Sequence, residues 1–156
     1  MSIDCRENSQ TPSYPDLSPY TYRDWPSMRA VGWLESTHTY TQGEVPIDCV
    51  DQLARFCMDP ALTTLGRHVC DFCHDIWAGV LAVPGRPPRP LGSCVIWVFD
   101  AADVVYTAPD LIYHYVTTHH YQPPSVFLSA LMSSPVPNTS AYKARYDQIC
   151  GRTTAP

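Results

Sequence analysis

The strongest periodic signal follows Pro46, where Ile47, Val50, Leu53, Ala54 and Cys57 recur at three- and four-residue spacing. That spacing predicts an amphipathic helix over residues 47–58. A different pattern appears at residues 93–99, dense in Val, Ile and Trp, and again at 104–107, with Asp100-Ala101-Ala102-Asp103 between them. The pair reads as a hairpin with a four-residue connection. Pro109-Asp110 then predicts a helix start, with proline pre-set for the first turn and a carboxylate at the positive end of the dipole, running to about residue 118. A further helix is expected over 124–132, turning Val126, Phe127, Ala130 and Leu131 inward, and a short one over 141–150. Residues 31–34 read as a short strand. The apolar run at 74–83 fits helix or strand, and the proline-rich segment 85–92 fits neither, because its prolines remove donors and fix an extended backbone. The expectation is an α+β fold, a small antiparallel sheet packed against three or four short helices. Residues 1–19 are expected to be a flexible or strap-like segment, 20–150 a single compact domain, and 151–156 a frayed tail.

Composition narrows the partners. The chain has 156 residues, 45% of them apolar and only 16% charged, with a net charge of -5. An acidic protein without a run of Lys or Arg repels a phosphate backbone, so nucleic acid is not an expected partner. No stretch approaches the roughly 18 apolar residues that a membrane span needs, and the N-terminal residues have no apolar core of signal-peptide length, so a cytoplasmic protein away from membranes is expected. Seven cysteines are scattered through apolar segments. In a reducing compartment they read as buried thiols and metal ligands rather than a disulfide framework.

The chemistry concentrates in His68-Val69-Cys70-Asp71-Phe72-Cys73. Cysteines spaced as Cys-x-x-Cys let one turn of chain offer two thiolates to one ion, and His68 adds an imidazole. A redox dithiol or two core thiols are the alternatives. A closed tetrahedral zinc site needs a fourth donor, and the helix carrying His114 and His119 is the obvious source. Five residues apart, these two stand about 140° around a regular helix axis, so one ion can share both only if the helix unwinds near Thr118. His119 lies on the apolar stripe with Ile112 and Tyr115 and is the favoured ligand, ahead of His114 and His38. His119-His120-Tyr121-Gln122-Pro123 also fits the His-His-x-x-Pro core of a His-Asn-His nuclease, but the acidic charge and the lack of a second Cys-x-x-Cys downstream argue against it.

Taken in order, Val31-Gly32-Trp33-Leu34 with His38 and Gly43-Glu44-Val45-Pro46, then His68-x-Cys70-x-x-Cys73, then Tyr106-x-Ala108-Pro109-x-Leu111-Ile112-x-His114-Tyr115-Val116, and His119-x-Tyr121-x-Pro123-Pro124-x-x-Phe127 resemble a family of small uncharacterised bacterial proteins, a domain of unknown function. The resemblance implies one small domain with a shared His-x-Cys-x-x-Cys and no particular activity. Where the resemblance leads one to expect glycine, this chain has His120, and residues 74–91 are longer than the corresponding link.

Two function classes follow. In one, His68, Cys70, Cys73 and His119 close a structural zinc site and the protein is an interaction module of immunity or adaptor type. In the other, an open zinc position carries a water that acts on a modest polar substrate, with Glu35 or Asp71 as general base and Tyr106, Tyr115 or Tyr121 as proton donor or oxyanion partner.

Overall fold

A computed structural model of the protein describes residues 14–21, 25–73 and 79–151. Its elements are β1 (Pro19–Tyr20), β2 (Met28–Ala30), α1 (Ile47–Met58), β3 (Leu62–Thr63), β4 (Val80–Leu81), β5 (Arg89–Pro90), β6 (Cys94–Phe99), β7 (Val105–Pro109), α2 (Ile112–His119), α3 (Ser125–Ser133) and α4 (Ser140–Gly151). The class is α+β. The main sheet has the order β1-β2-β7-β6-β3, and β4 and β5 form a separate two-stranded ladder.

Residues 31–34, expected as a strand, lie just past one. Extended pairing stops at Ala30 because Gly32 adopts φ 75°, in the left-handed region. The pairing that β2 makes is parallel, Arg29 opposite Tyr106 and Ala30 opposite Thr107, so the sheet is mixed rather than antiparallel throughout. A parallel pair needs a long crossover, and the chain between β2 and β7 carries α1 and the whole β3 to β6 excursion.

The β6–β7 hairpin forms in register from Val95 opposite Pro109 to Phe99 opposite Val105. Pro109 therefore ends a strand instead of opening a helix. The Asp110 N–H donates to the Cys94 carbonyl, and α2 starts at Ile112. Residues 74–78 of the ambiguous apolar run lie outside the described residues, and Val80–Leu81 forms β4. The proline-rich segment expected to be loop supplies β5, where Pro90 faces Val80 in a short ladder that tolerates a missing donor.

All six residues of β6 are buried. On it, Trp97 meets Trp25 edge-on with ring centroids 5.3 Å apart, and α4 brings Tyr146 to Trp97 and Tyr142 to Phe99 at 5.3 and 5.0 Å. The Tyr142 hydroxyl satisfies its polar end by donating to the Trp97 carbonyl at 3.1 Å. Helices α1 and α3 also pack against β6.

Ahead of β2 the chain lies across the sheet edge. Tyr20 stacks on Trp33 at 5.4 Å and 14°, and Tyr14 meets Tyr20 at 4.9 Å. The Asp16 carboxylate fixes this stretch twice, accepting the Gly32 N–H at 3.0 Å and the Tyr121 hydroxyl at 2.8 Å. Desolvation of the buried Tyr121 phenol, with Asp16 beside it, raises its pKa well above the ordinary range, so it stays a donor. Among the described residues, no helix is long and apolar enough to cross a membrane.

Candidate metal centre

The 68–73 segment reaches its position through a close backbone approach. The His68 N–H donates to the Gly92 carbonyl at 2.8 Å, and the Gly92 N–H donates to the buried carboxylate of Asp110 at 2.7 Å. Gly92 has φ 117°, and a β-carbon there would sit 2.2 Å from the His68 carbonyl oxygen. Only glycine lets the two backbones lie this close. Beyond His68 the chain turns inward, burying Cys70 and leaving Cys73 half-buried.

The partner is α2. The N–H groups of both His120 and Tyr121 donate to the Tyr115 carbonyl, and His120 takes a left-handed conformation with φ 57°. A bond from residue 120 back to 115 widens the last turn beyond the α-helical i to i−4 pattern. In a wider turn, residues five apart come back toward the same side. His114 and His119 exploit this, and their rings lie 4.9 Å apart at 80°.

The structure brings together Cys70, Cys73, His114 and His119, with one ligand atom from each, all within 4.8 Å of one another, a set that can hold a metal ion. The Cys73 sulfur lies 3.1 Å from Nε2 of both histidines and 3.6 Å from the Cys70 sulfur, and Cys70 lies 3.4 Å from His119 Nε2. Around a tetrahedral zinc with Zn–S of about 2.3 Å and Zn–N of about 2.0–2.1 Å, the edges between donors would be about 3.8 Å for S–S and about 3.6 Å for S–N. The four edges given above are shorter by about 0.2–0.5 Å, so these donors fit the group once they spread by that amount. Two soft thiolates with two imidazoles are the donor set of a closed zinc site.

The surroundings favour the ligating forms. The Phe72 N–H donates to the Cys70 sulfur at 3.4 Å and helps to hold it in place. Burial, and then its neighbour His119, hold the His114 imidazole below its ordinary pKa; burial, and then His120, do the same for His119. A neutral imidazole is what a metal requires. An aromatic wall closes the site. Phe72 packs on His119 at 5.3 Å and on Tyr115 at 5.9 Å, and Tyr40 packs on Phe72 at 5.2 Å while its hydroxyl donates to the His119 carbonyl. The segment from Thr41 to Gly43 pairs with residues 120–122, with Gly43 N–H to the His120 carbonyl and Gln122 N–H to the Thr41 carbonyl, both at 2.9 Å.

The other sequence candidates lie elsewhere. His68 is exposed, its place in the expected ligand set taken by His114, because the backbone ladder with Gly92 fixes residue 68 outside the turn. His38 is exposed and pairs with Glu35. His120 is exposed at the helix cap. Asp71 accepts the Ser36 N–H at 3.4 Å. Tyr115 is buried beside Phe72, with its pKa raised by burial and then by the nearby Cys70. Tyr121 is committed to Asp16, and Tyr106 packs on Phe127 beside a separate hollow of about 390 Å³. A larger hollow of about 940 Å³ lies between the end of α1 and the start of α4. Its charged side chains are paired: Arg86 grips Asp59 with two bonds of 2.7 and 3.0 Å, Lys143 pairs with Asp147, and Arg89 lies 3.8 Å from Asp110 outside the hollow.

Sequence spacing ranked His114 only as an alternate to His119, because a regular helical wheel does not contain the widened turn that brings both rings together. Tyr40 carried no signal beyond being one tyrosine among ten.

Comparison with curated proteins finds no match, and neither does comparison with solved structures. A family model described as a domain of unknown function, DUF7919, matches residues 12–132, a span that contains all four donors and stops short of α4. The chain belongs to that family.

Proposed function

We propose that the protein is a zinc-binding module in which Cys70, Cys73, His114 and His119 hold a structural ion that fastens the 70–73 turn to α2, and that it works by binding another protein in a reducing, cytoplasmic setting. The observation that carries this reading is the set of two cysteines and two histidines whose ligand atoms all lie within 4.8 Å of one another. A site filled by four side chains has no position for a reactive water. When bound, zinc would supply cross-linking energy, and the residues supply its orientation: Phe72 and Tyr40 fix His119, and the Phe72 N–H steadies Cys70. For the interaction role, Val126 and Met132 on α3, at 49% and 48% exposure, are apolar side chains that a partner would cover.

A small metal-dependent enzyme is the second reading, favoured by the partial exposure of Cys73 and His119, which lets solvent reach the donors. The same experiment separates the two. Metal content is measured for the purified protein and for Cys70→Ser and His119→Ala, followed by titration with azide as a zinc-binding anion. Stoichiometric zinc in the wild type, its loss together with folded structure in both variants, and no azide binding are the expected results. A folded metal-free protein whose zinc form binds azide would support the enzyme, and a wild type without metal would sink both readings.

A further inference from the structure

We propose that the site is also a peroxide-sensitive release point, where oxidation of the Cys70–Cys73 pair to a disulfide expels the ion and unfastens α2. The proposal rests on the zinc reading above and adds regulation to it. Three observations meet here. The two sulfurs are 3.6 Å apart, so each needs to move less than about 1 Å to reach a disulfide bond length of about 2.05 Å. Cys73 is half-buried, within reach of a small oxidant, while Cys70 lies behind it in the core. Cys73 is also the shared member of the cluster, touching both imidazoles and the other sulfur. Its removal undoes three of the four measured contacts at once.

The chemistry balances with hydrogen peroxide as oxidant. The Cys73 thiolate attacks one peroxide oxygen, the O–O bond breaks, and Cys73 sulfenic acid and hydroxide result. The Cys70 thiolate then attacks the Cys73 sulfur and displaces a second hydroxide. Two thiolates have lost two electrons, peroxide has become two hydroxides, and the zinc loses its two sulfur donors. Two imidazoles alone hold zinc far more weakly. The bond that replaces the ion joins residues three apart on one turn, so it ties nothing to α2. His119, with Phe72 and Tyr40 packed around it, loses its anchor.

The test uses the zinc-loaded full chain treated with one to a few equivalents of hydrogen peroxide. Released zinc is read with a chromophoric chelator, and the protein mass and its peptides are followed in parallel. The expected result is zinc release that tracks a mass loss of about 2 Da mapped to the peptide holding Cys70 and Cys73. Dithiothreitol with added zinc should reverse both. A Cys150→Ser variant should release zinc at the wild-type rate. Retention of zinc at tenfold excess peroxide would overturn the proposal. So would release accompanied by gains of about 32 Da per cysteine, the mark of sulfinic acid, or a disulfide mapped elsewhere. Failure of the zinc reading is seen separately, as a protein that purifies without metal before any oxidant is added.

Discussion

His120 holds a left-handed backbone, φ 57° and ψ 24°, directly after the last residue of α2. A residue with a β-carbon meets its neighbouring carbonyl there at a cost of about 1–2 kcal/mol, and glycine is the usual solution at a helix C-terminus. The His120 side chain is exposed and outside the donor cluster. Replacing it by glycine should therefore stabilise the fold by about 0.5–1 kcal/mol, after the greater freedom of glycine in the unfolded chain is subtracted. Urea denaturation of His120→Gly checks this, with zinc content measured alongside. A destabilised variant with unchanged zinc would show that the imidazole makes a contact that outweighs the strain. At this scale the cysteines were the most legible part of the site, because their spacing alone puts two sulfurs on one turn. His114 was legible only as an alternate, since 100° per residue does not hold where the Tyr115 carbonyl accepts from residues 120 and 121. His68 was misleading for a related reason: proximity in sequence to Cys70 says nothing about a backbone ladder to Gly92.

Among the elements, the placement of the 68–73 turn depends on Gly92, and through Gly92 on Asp110 just before α2. Gly92→Ala puts a β-carbon 2.2 Å from a backbone oxygen, a contact that only backbone movement can relieve. We expect a loss on the order of 3 kcal/mol, together with weaker zinc retention because the cysteine turn is pushed away from α2. Thermal unfolding and competition with a chelator read the two effects. Normal zinc retention in a destabilised variant would show that the turn positions itself without the ladder. Helix α1 was legible because its apolar positions recur over three turns, and the β6–β7 hairpin because two runs rich in β-branched residues flank a four-residue connection. The boundary at Pro109 was not, because proline suits both a helix start and the end of a short strand, and only pairing with Val95 decides between them. The two-residue strands had no chance of being read from pattern, since two residues contain no period.

For the whole molecule, the cluster joins distant parts of the chain, with Cys70 and His119 separated by 49 positions, and an ion bound there would crosslink them. Between them lie β4, β5, the hairpin and most of α2, whereas α1 and β3 precede the link and α3 and α4 follow it. Removing zinc with a chelator should therefore lower the thermal midpoint by several degrees, and a chain whose midpoint ignores the chelator would show the ion to be a bystander. The same arrangement has a mechanical consequence. Under tension applied at its two ends, the loaded chain would pass the load through the ion, and the residues between Cys70 and His119 would feel no pull. Its extended length should fall short of the metal-free chain's by roughly 160 Å, at about 3.3 Å for each of the 49 shielded steps. Stretching single molecules with and without a chelator would measure that hidden length, and equal extensions would show that no crosslink spans the two cysteine- and histidine-bearing segments.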